Sequence, residues 1–192
     1  MPKQKSLPLC RYEQSPSAII LGSSETNVFF RGTVGRYVFV SDADSISGAA
    51  SFSIYDVLSG KRIYQDYAEG DFDTTAIDTN VLRLRYRRAY NADCSMVAQA
   101  EQCWAAIRKT TLLPPEPKPN CLNSYRVAKE NAARNHCLQS SNPRCIQEEI
   151  RSLSAMDKSP SFISFPVEIS NLNETALKPH PTAGPLNCWP AE

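Results

Sequence analysis

Histidine is scarce, no apolar run is long, charge is balanced, and no cysteine pair has C-x-x-C spacing. Each shortage removes a class of function. With only His136 and His180 present, imidazole chemistry has little to work with. His136 and Cys137 are neighbours on an expected helix end, where side chains diverge by about 100°, so they do not face each other as a nucleophilic pair must. Neither a G-x-S-x-G elbow, an H-E-x-x-H pair, a Walker loop nor a G-x-G-x-x-G turn occurs. Lysine plus arginine number 21 against 20 aspartates and glutamates, a net charge of +1. That is not the basic excess with which nucleic-acid binders neutralise phosphates. No stretch approaches the roughly 18 apolar residues of a membrane-spanning helix. The opening MPKQKSLPLC holds no secretory apolar segment, so export implies that a leader was removed and that Met1 stands in its place. No motif implies a cofactor or a metal.

What the chain does have is seven cysteines: Cys10, Cys94, Cys103, Cys121, Cys137, Cys145 and Cys188. Without C-x-x-C they suggest neither a redox pair nor a zinc knuckle. His136 with Cys121, Cys137 and Cys145 matches no usual zinc spacing either. Spread-out cysteines in a domain of this size fit structural disulfides in an oxidising compartment, so the expected location is periplasmic or secreted. Cys94, Cys103, Cys121, Cys137, Cys145 and Cys188 are the expected disulfide formers. An odd count leaves one thiol over, most simply Cys10. The pairing stays open, although Cys137 and Cys145 lie eight positions apart across a helix break, which suits a staple.

Residues 1–16 are polar and proline-punctuated and are expected to be disordered, leaving 17–192 as one β-rich domain. Ser17–Leu21 and Asn27–Arg31 read as short strands. Tyr37-Val38-Phe39-Val40 is β-branched and aromatic, and Phe52 and Ile54 alternate with Ser53 and Tyr55, the period of a strand. Ser59-Gly60 reads as a hairpin turn leading to Ile63-Tyr64. Ala68–Thr79, carrying Glu69, Asp71, Asp73 and Asp78, reads as an acidic loop. In the strand that follows, Leu82, Leu84 and Tyr86 share one face and Arg83, Arg85 and Arg87 the other. Ser95–Lys109 has helical spacing with Ser95 as its cap, or else a short strand at Cys103–Ile107. Residues 113–119 form a polyproline linker. Residues 121–156 form a helical insert, Tyr125–Leu138 and Arg144–Leu153 around a Ser-Ser-Asn-Pro break. Phe162–Ile169 alternates again, and Pro166 predicts an edge strand or a bulge. The Cys188-Trp189 tail is expected to be tied down by a disulfide and a buried indole. The fold class expected is α+β, mainly an antiparallel sheet, blade- or sandwich-like, with a disulfide-stapled helical insert.

Gly35–Val40 (GRYVFV) and Phe52–Lys61 (FSIYDVLSGK) resemble a single β-propeller blade. A propeller needs about four such units, and one is visible. The stretch therefore resembles small exported bacterial proteins built from one blade-like sheet with disulfide-bonded segments, including periplasmic type VI secretion immunity proteins. The resemblance implies a periplasmic inhibitor whose partner is a secreted peptidoglycan hydrolase; it transfers no site residue.

From the residues themselves, the long polar turn Asp42–Ser51 is the expected partner contact, with Asp42, Asp44, Ser45, Ile46 and Ser47 as the contact residues, because small polar loops on rigid strands are common recognition elements. The alternative is an envelope accessory module that docks a ligand through Arg83, Arg85 and Arg87. A third reading is a hydrolase using the loop carboxylates Asp42/Asp44 or Asp71/Asp73.

Overall fold

The computed structural model describes residues 28–46, 49–76, 82–135, 143–170 and 177–191. Within them the β-branched and aromatic runs pair as their alternation dictates. Strands β1 (Val28–Val34), β2 (Tyr37–Ile46) and β3 (Ala49–Asp56) are joined as antiparallel neighbours, with Phe39 opposite Ile54 and Ser41 opposite Phe52. Tyr37, Phe39, Phe52 and Ile54 therefore share one face, and all are buried in the main core. The turn after β3 is built by Asp56, whose carboxylate accepts from the Leu58 amide at 3.0 Å and the Ser59 hydroxyl at 3.2 Å. Gly60 closes it at φ +66°, where a side chain would be strained.

Strand β4 (Lys61–Ala76) is 16 residues long and changes partner midway. Its first half pairs with β3 as far as Ala49↔Glu69, and its second half pairs with β5 (Leu82–Asn91) from Ala68↔Arg88 onward. The crossover is a register shift between Glu69 and Asp73 that contains Gly70 at φ +73°. Phe72, just past it, packs on Phe52 with ring centroids 4.5 Å apart and on Phe39 at 6.3 Å. Both halves of the sheet thus close on one core.

This corrects the expectation of a loop over Ala68–Thr79: its described part is strand. Glu69 faces Arg87 and Asp73 faces Arg85 across the ladder, so the acids alternate with Phe72 and Thr74 as a strand's outer face. Their charge suggested a loop because their partners lie on a strand still to come.

Strand β6 (Ser161–Ile169) pairs with β5 along its whole length, from Asn91↔Phe162 to Leu84↔Ile169. Two short strands share its other side: β8 (Asn187–Pro190) beside Ser161–Ser164, and β7 (His180–Pro181) beside Val167 and Glu168. Pro166 therefore stands in neither an edge strand nor a bulge. Its carbonyl accepts from the Thr182 amide on the outer side, so its missing N–H falls in the gap between β7 and β8 and costs the β5 ladder nothing. Among the described residues the result is an eight-stranded antiparallel sheet, and with its helices an α+β fold.

Helix α1 (Ala100–Thr110) seals the core with Cys103, Trp104 and Ile107. Its approach is capped as expected: Ser95 Oγ accepts from the Val97 and Ala98 amides at 3.1 and 3.0 Å. Regular helix begins five residues later than the sequence suggests. Cys94 and Cys103 are bridged across that turn. Helix α2 (Leu122–Asn135) buries Cys121, just before it, and Tyr125, whose hydroxyl is 2.6 Å from Ser161 Oγ. Helix α3 (Pro143–Ala155) buries none of its side chains. The expected helix pair is present, fixed to the sheet through the start of α2, where Cys121 bridges to Cys188 on β8. Trp189 beside it is only partly buried and packs its ring 5.3 Å from that of Phe162. Cys145 is also disulfide-bonded. Cys10, Cys137, His136 and the Ser17–Leu21 stretch lie outside the described residues, as does the expected disordered 1–16 segment.

Candidate functional site

The polar turn expected as a contact loop is mostly strand. β2 runs to Ile46 and β3 begins at Ala49, with Ser45 opposite Ala50 and Ile46 opposite Ala49. Asp42 sits in β2 opposite Val28 and is half-buried; Asp44, Ser45 and Ile46 continue the same strand, and Ser47 lies outside the described residues. Ser and Asp disfavour strands, which made the stretch look like a loop. Hairpin pairing overrides that propensity, at the cost of an irregularity between Ser41 and Ser45.

Arg83, Arg85 and Arg87 do point away from the core, but their charge is answered in place. Arg85 Nε donates to Glu168 Oε2 at 2.7 Å, and Arg83 Nε lies 3.1 Å from Glu168 Oε1. The Arg83 contact is an ion pair without the alignment of a hydrogen bond, since this buried nitrogen has no hydrogen-bond acceptor. Arg87 Nε donates to Glu69 at 3.1 Å, while its Nη2 donates at 3.0 Å to the Ser164 and Pro185 carbonyls and to Ser164 Oγ. Ser164 Oγ also donates to Glu69. Arg87 therefore clamps β4, β5, β6 and the C-terminal tail together, which is a structural task.

Asp71 and Asp73 are both exposed on β4. No group of three or more His, Cys, Asp or Glu side chains among the described residues is placed to hold a metal. Cys121 and Cys145, entertained as zinc ligands, are both in disulfides. No helix among the described residues is long and apolar enough to cross a membrane.

A concavity lies where β4 and β5 part. Their ladder stops at Ala68↔Arg88, and the next rungs, Tyr67 with Ala89 and Asp66 with Tyr90, are left unformed. β4 turns to follow β3 while β5 stays with β6. The gap is a cleft of about 450 Å³ lined by Ala49, Asp66, Tyr67, Arg88, Ala89, Tyr90, Asn91 and Phe162. Tyr67 is 54% exposed at its rim. Tyr90 is steadied by its hydroxyl, 2.8 Å from Thr110 Oγ1 at the end of α1.

Asp66 organises the cleft floor. Its Oδ2 accepts from the Tyr86 hydroxyl and from the Tyr64 hydroxyl at 2.9 Å, and those two hydroxyls are 2.7 Å apart. Its Oδ1 accepts from the Tyr67 amide at 3.0 Å, and Arg88 Nε lies 3.2 and 3.0 Å from the two carboxylate oxygens. Burial first, then the charge of Asp66, pushes both Tyr64 and Tyr86 well above the ordinary tyrosine range. Both remain neutral donors. Arg88 uses only Nε in this network, no hydrogen bond from Nη1 or Nη2 to a described residue accompanies it, and the residue is part of the cleft lining.

A pH dependence follows from these tyrosines. Above their ordinary value of 10.0 the unfolded chain releases protons that the folded protein retains. Stability should therefore fall as pH rises past 10, by up to about 1.4 kcal/mol per pH unit for Tyr86. Urea unfolding between pH 9 and 11 should show this decline, and Tyr86→Phe should make it shallower. An equal slope in the variant would contradict the assignment.

The sequence reading missed Asp66 and Arg88. Their signal was phase: Tyr64, Asp66 and Ala68 alternate on the inward face of β4, and Leu84, Tyr86 and Arg88 on that of β5. A charged residue in the buried phase of each of two neighbouring strands marks a paired interior site.

No family model matches the chain, and neither a curated protein nor a solved structure matches it.

Proposed function

We propose that this protein is an exported, disulfide-stabilised binding protein of the bacterial periplasm that inhibits a cell-wall-degrading enzyme. Its docking surface is the β4/β5 cleft together with the β2–β3 hairpin. The observation that carries this reading is Ala49: the first residue of β3, within the stretch singled out from sequence, lines the cleft. Exposed Tyr67 stands on that surface as the kind of aromatic that anchors interfaces. Binding is favoured over catalysis because Asp66, the one carboxylate among the described residues lining the cleft, has both oxygens engaged by fixed donors. The disulfides fit an oxidising compartment.

A second reading, an envelope accessory module that holds a small ligand, is favoured by the cleft and by the presence of Arg88 in its lining. The test is a titration of the oxidised protein into secreted peptidoglycan hydrolases encoded beside its gene, followed by loss of cell-wall turbidity. Stoichiometric inhibition of one of them is expected. Absence of inhibition of all of them sinks the inhibitor reading.

A further inference from the structure

The Asp66–Arg88 pair has a feature that a purely structural ion pair does not need. Arginine carries five N–H donors, and Arg88 spends only the Nε–H on Asp66. With Nε engaged, the Nη1/Nη2 edge is the one left for bidentate contact with a planar anion. Arg88 is one of the residues that line the cleft, and its Nη groups make no hydrogen bond to a described residue. The guanidinium is held in place from behind, because Asp66 is itself fixed by Tyr64, Tyr86 and the Tyr67 amide. Asn91 supplies a further polar group, and the remaining wall is apolar or aromatic: Ala49, Ala89, Phe162, and the rings of Tyr67 and Tyr90. A volume of about 450 Å³ is within the range of small-ligand sites.

We propose that the β4/β5 cleft is a binding site for a carboxylate carried on an apolar or aromatic body, with the carboxylate on the Nη edge of Arg88 and the body between Tyr67 and Phe162. A phosphate or sulfate would need more positive charge than one arginine already shared with Asp66; a singly charged, planar carboxylate fits that edge. This deepens the reading above, on which it rests for the cleft as the contact surface, by naming the chemistry of the group that enters. The carboxylate belongs either to a protein chain, at a C-terminus or an acidic side chain, or to a free acid.

The test is a titration of the oxidised full chain followed by amide NMR at Tyr67, Ala89 and the Asn91 side chain. Three probes separate the sources: 3-phenylpropionate, N-acetyl-Ala-Phe with a free C-terminus, and N-acetyl-Phe-Glu-amide. At least one should saturate with a dissociation constant of about 1 mM or tighter. The uncharged 3-phenylpropionamide should bind on the order of tenfold more weakly than 3-phenylpropionate. Arg88→Gln should reduce the acids to the level of the amide. Tyr67→Ala, which keeps the Arg88–Asp66 pair and alters only an exposed ring, should weaken the same probes. Failure of all three acids to shift these amides at 10 mM, or equal binding of acid and amide, overturns the proposal. Carboxylate binding without inhibition of any hydrolase would leave the site standing and remove the inhibitor reading; inhibition without carboxylate binding would do the reverse.

Discussion

Replacing Cys121 and Cys188 together by serine should lower the unfolding free energy by about 4 kcal/mol. The two cysteines are 67 positions apart, and cross-linking so long a loop removes much conformational freedom from the unfolded chain. Both are buried, at 2% and 4% exposure, and Ser124 Oγ donates to the Cys188 carbonyl beside the bridge. The bond joins the start of α2 to β8, so its loss should also free the tail that covers the outer side of β6. The Cys94–Cys103 bridge closes only nine positions and should contribute about 2.5 kcal/mol. Domains are typically stable by about 5–15 kcal/mol, so losing the longer bridge consumes a large share of the whole. Urea unfolding of the oxidised protein and the double variant measures the difference. A change under about 1 kcal/mol would show that the bridge is incidental and would weaken the argument for an oxidising compartment.

Asp66→Ala should cost about 3 kcal/mol, near the lower end for breaking a buried ion pair because Arg88 keeps part of its contact with water. The substitution removes the acceptor for two tyrosine hydroxyls and a backbone amide as well as the counter-charge of Arg88. Tyr64 and Tyr86 still have each other, 2.7 Å apart, but their two protons can no longer both be satisfied. A second change, Arg88→Met, should recover part of the loss, since the unpaired charge is then gone too. Strictly additive losses in the double variant would mean that the two side chains do not act as a pair.

The strands were legible where side chains alternate against one core, as at Phe52 and Ile54 or at Leu84 and Tyr86. The arginine stripe of β5 was legible for the same reason, although its partners were not. Glu168 meets Arg85 across 83 positions of sequence, and Ser164 meets Arg87 across 77, beyond any local pattern. β4 was half hidden because its second half is acidic and pairs with a strand that follows later. The hairpin beyond Asp42 was misread because its residues prefer turns and its pairing is what holds them extended. The candidate site was hidden most completely, for it is made where two strands stop pairing. Nothing in Ala68 or Arg88 announces that the ladder ends between them; the end is set by β4 following β3 while β5 follows β6.

The most direct measurement of the proposed function is inhibition of a peptidoglycan hydrolase encoded beside the gene by Tyr67→Ala and by Arg85→Glu, each compared with the unaltered protein. Tyr67 is at the cleft rim, while Arg85 is on the outward arginine face, so the pair separates the two candidate surfaces. Tyr67→Ala should weaken inhibition on the order of tenfold or more, with Arg85→Glu close to the unaltered protein. The reverse pattern, Arg85→Glu abolishing inhibition while Tyr67→Ala leaves it intact, would contradict docking through the cleft.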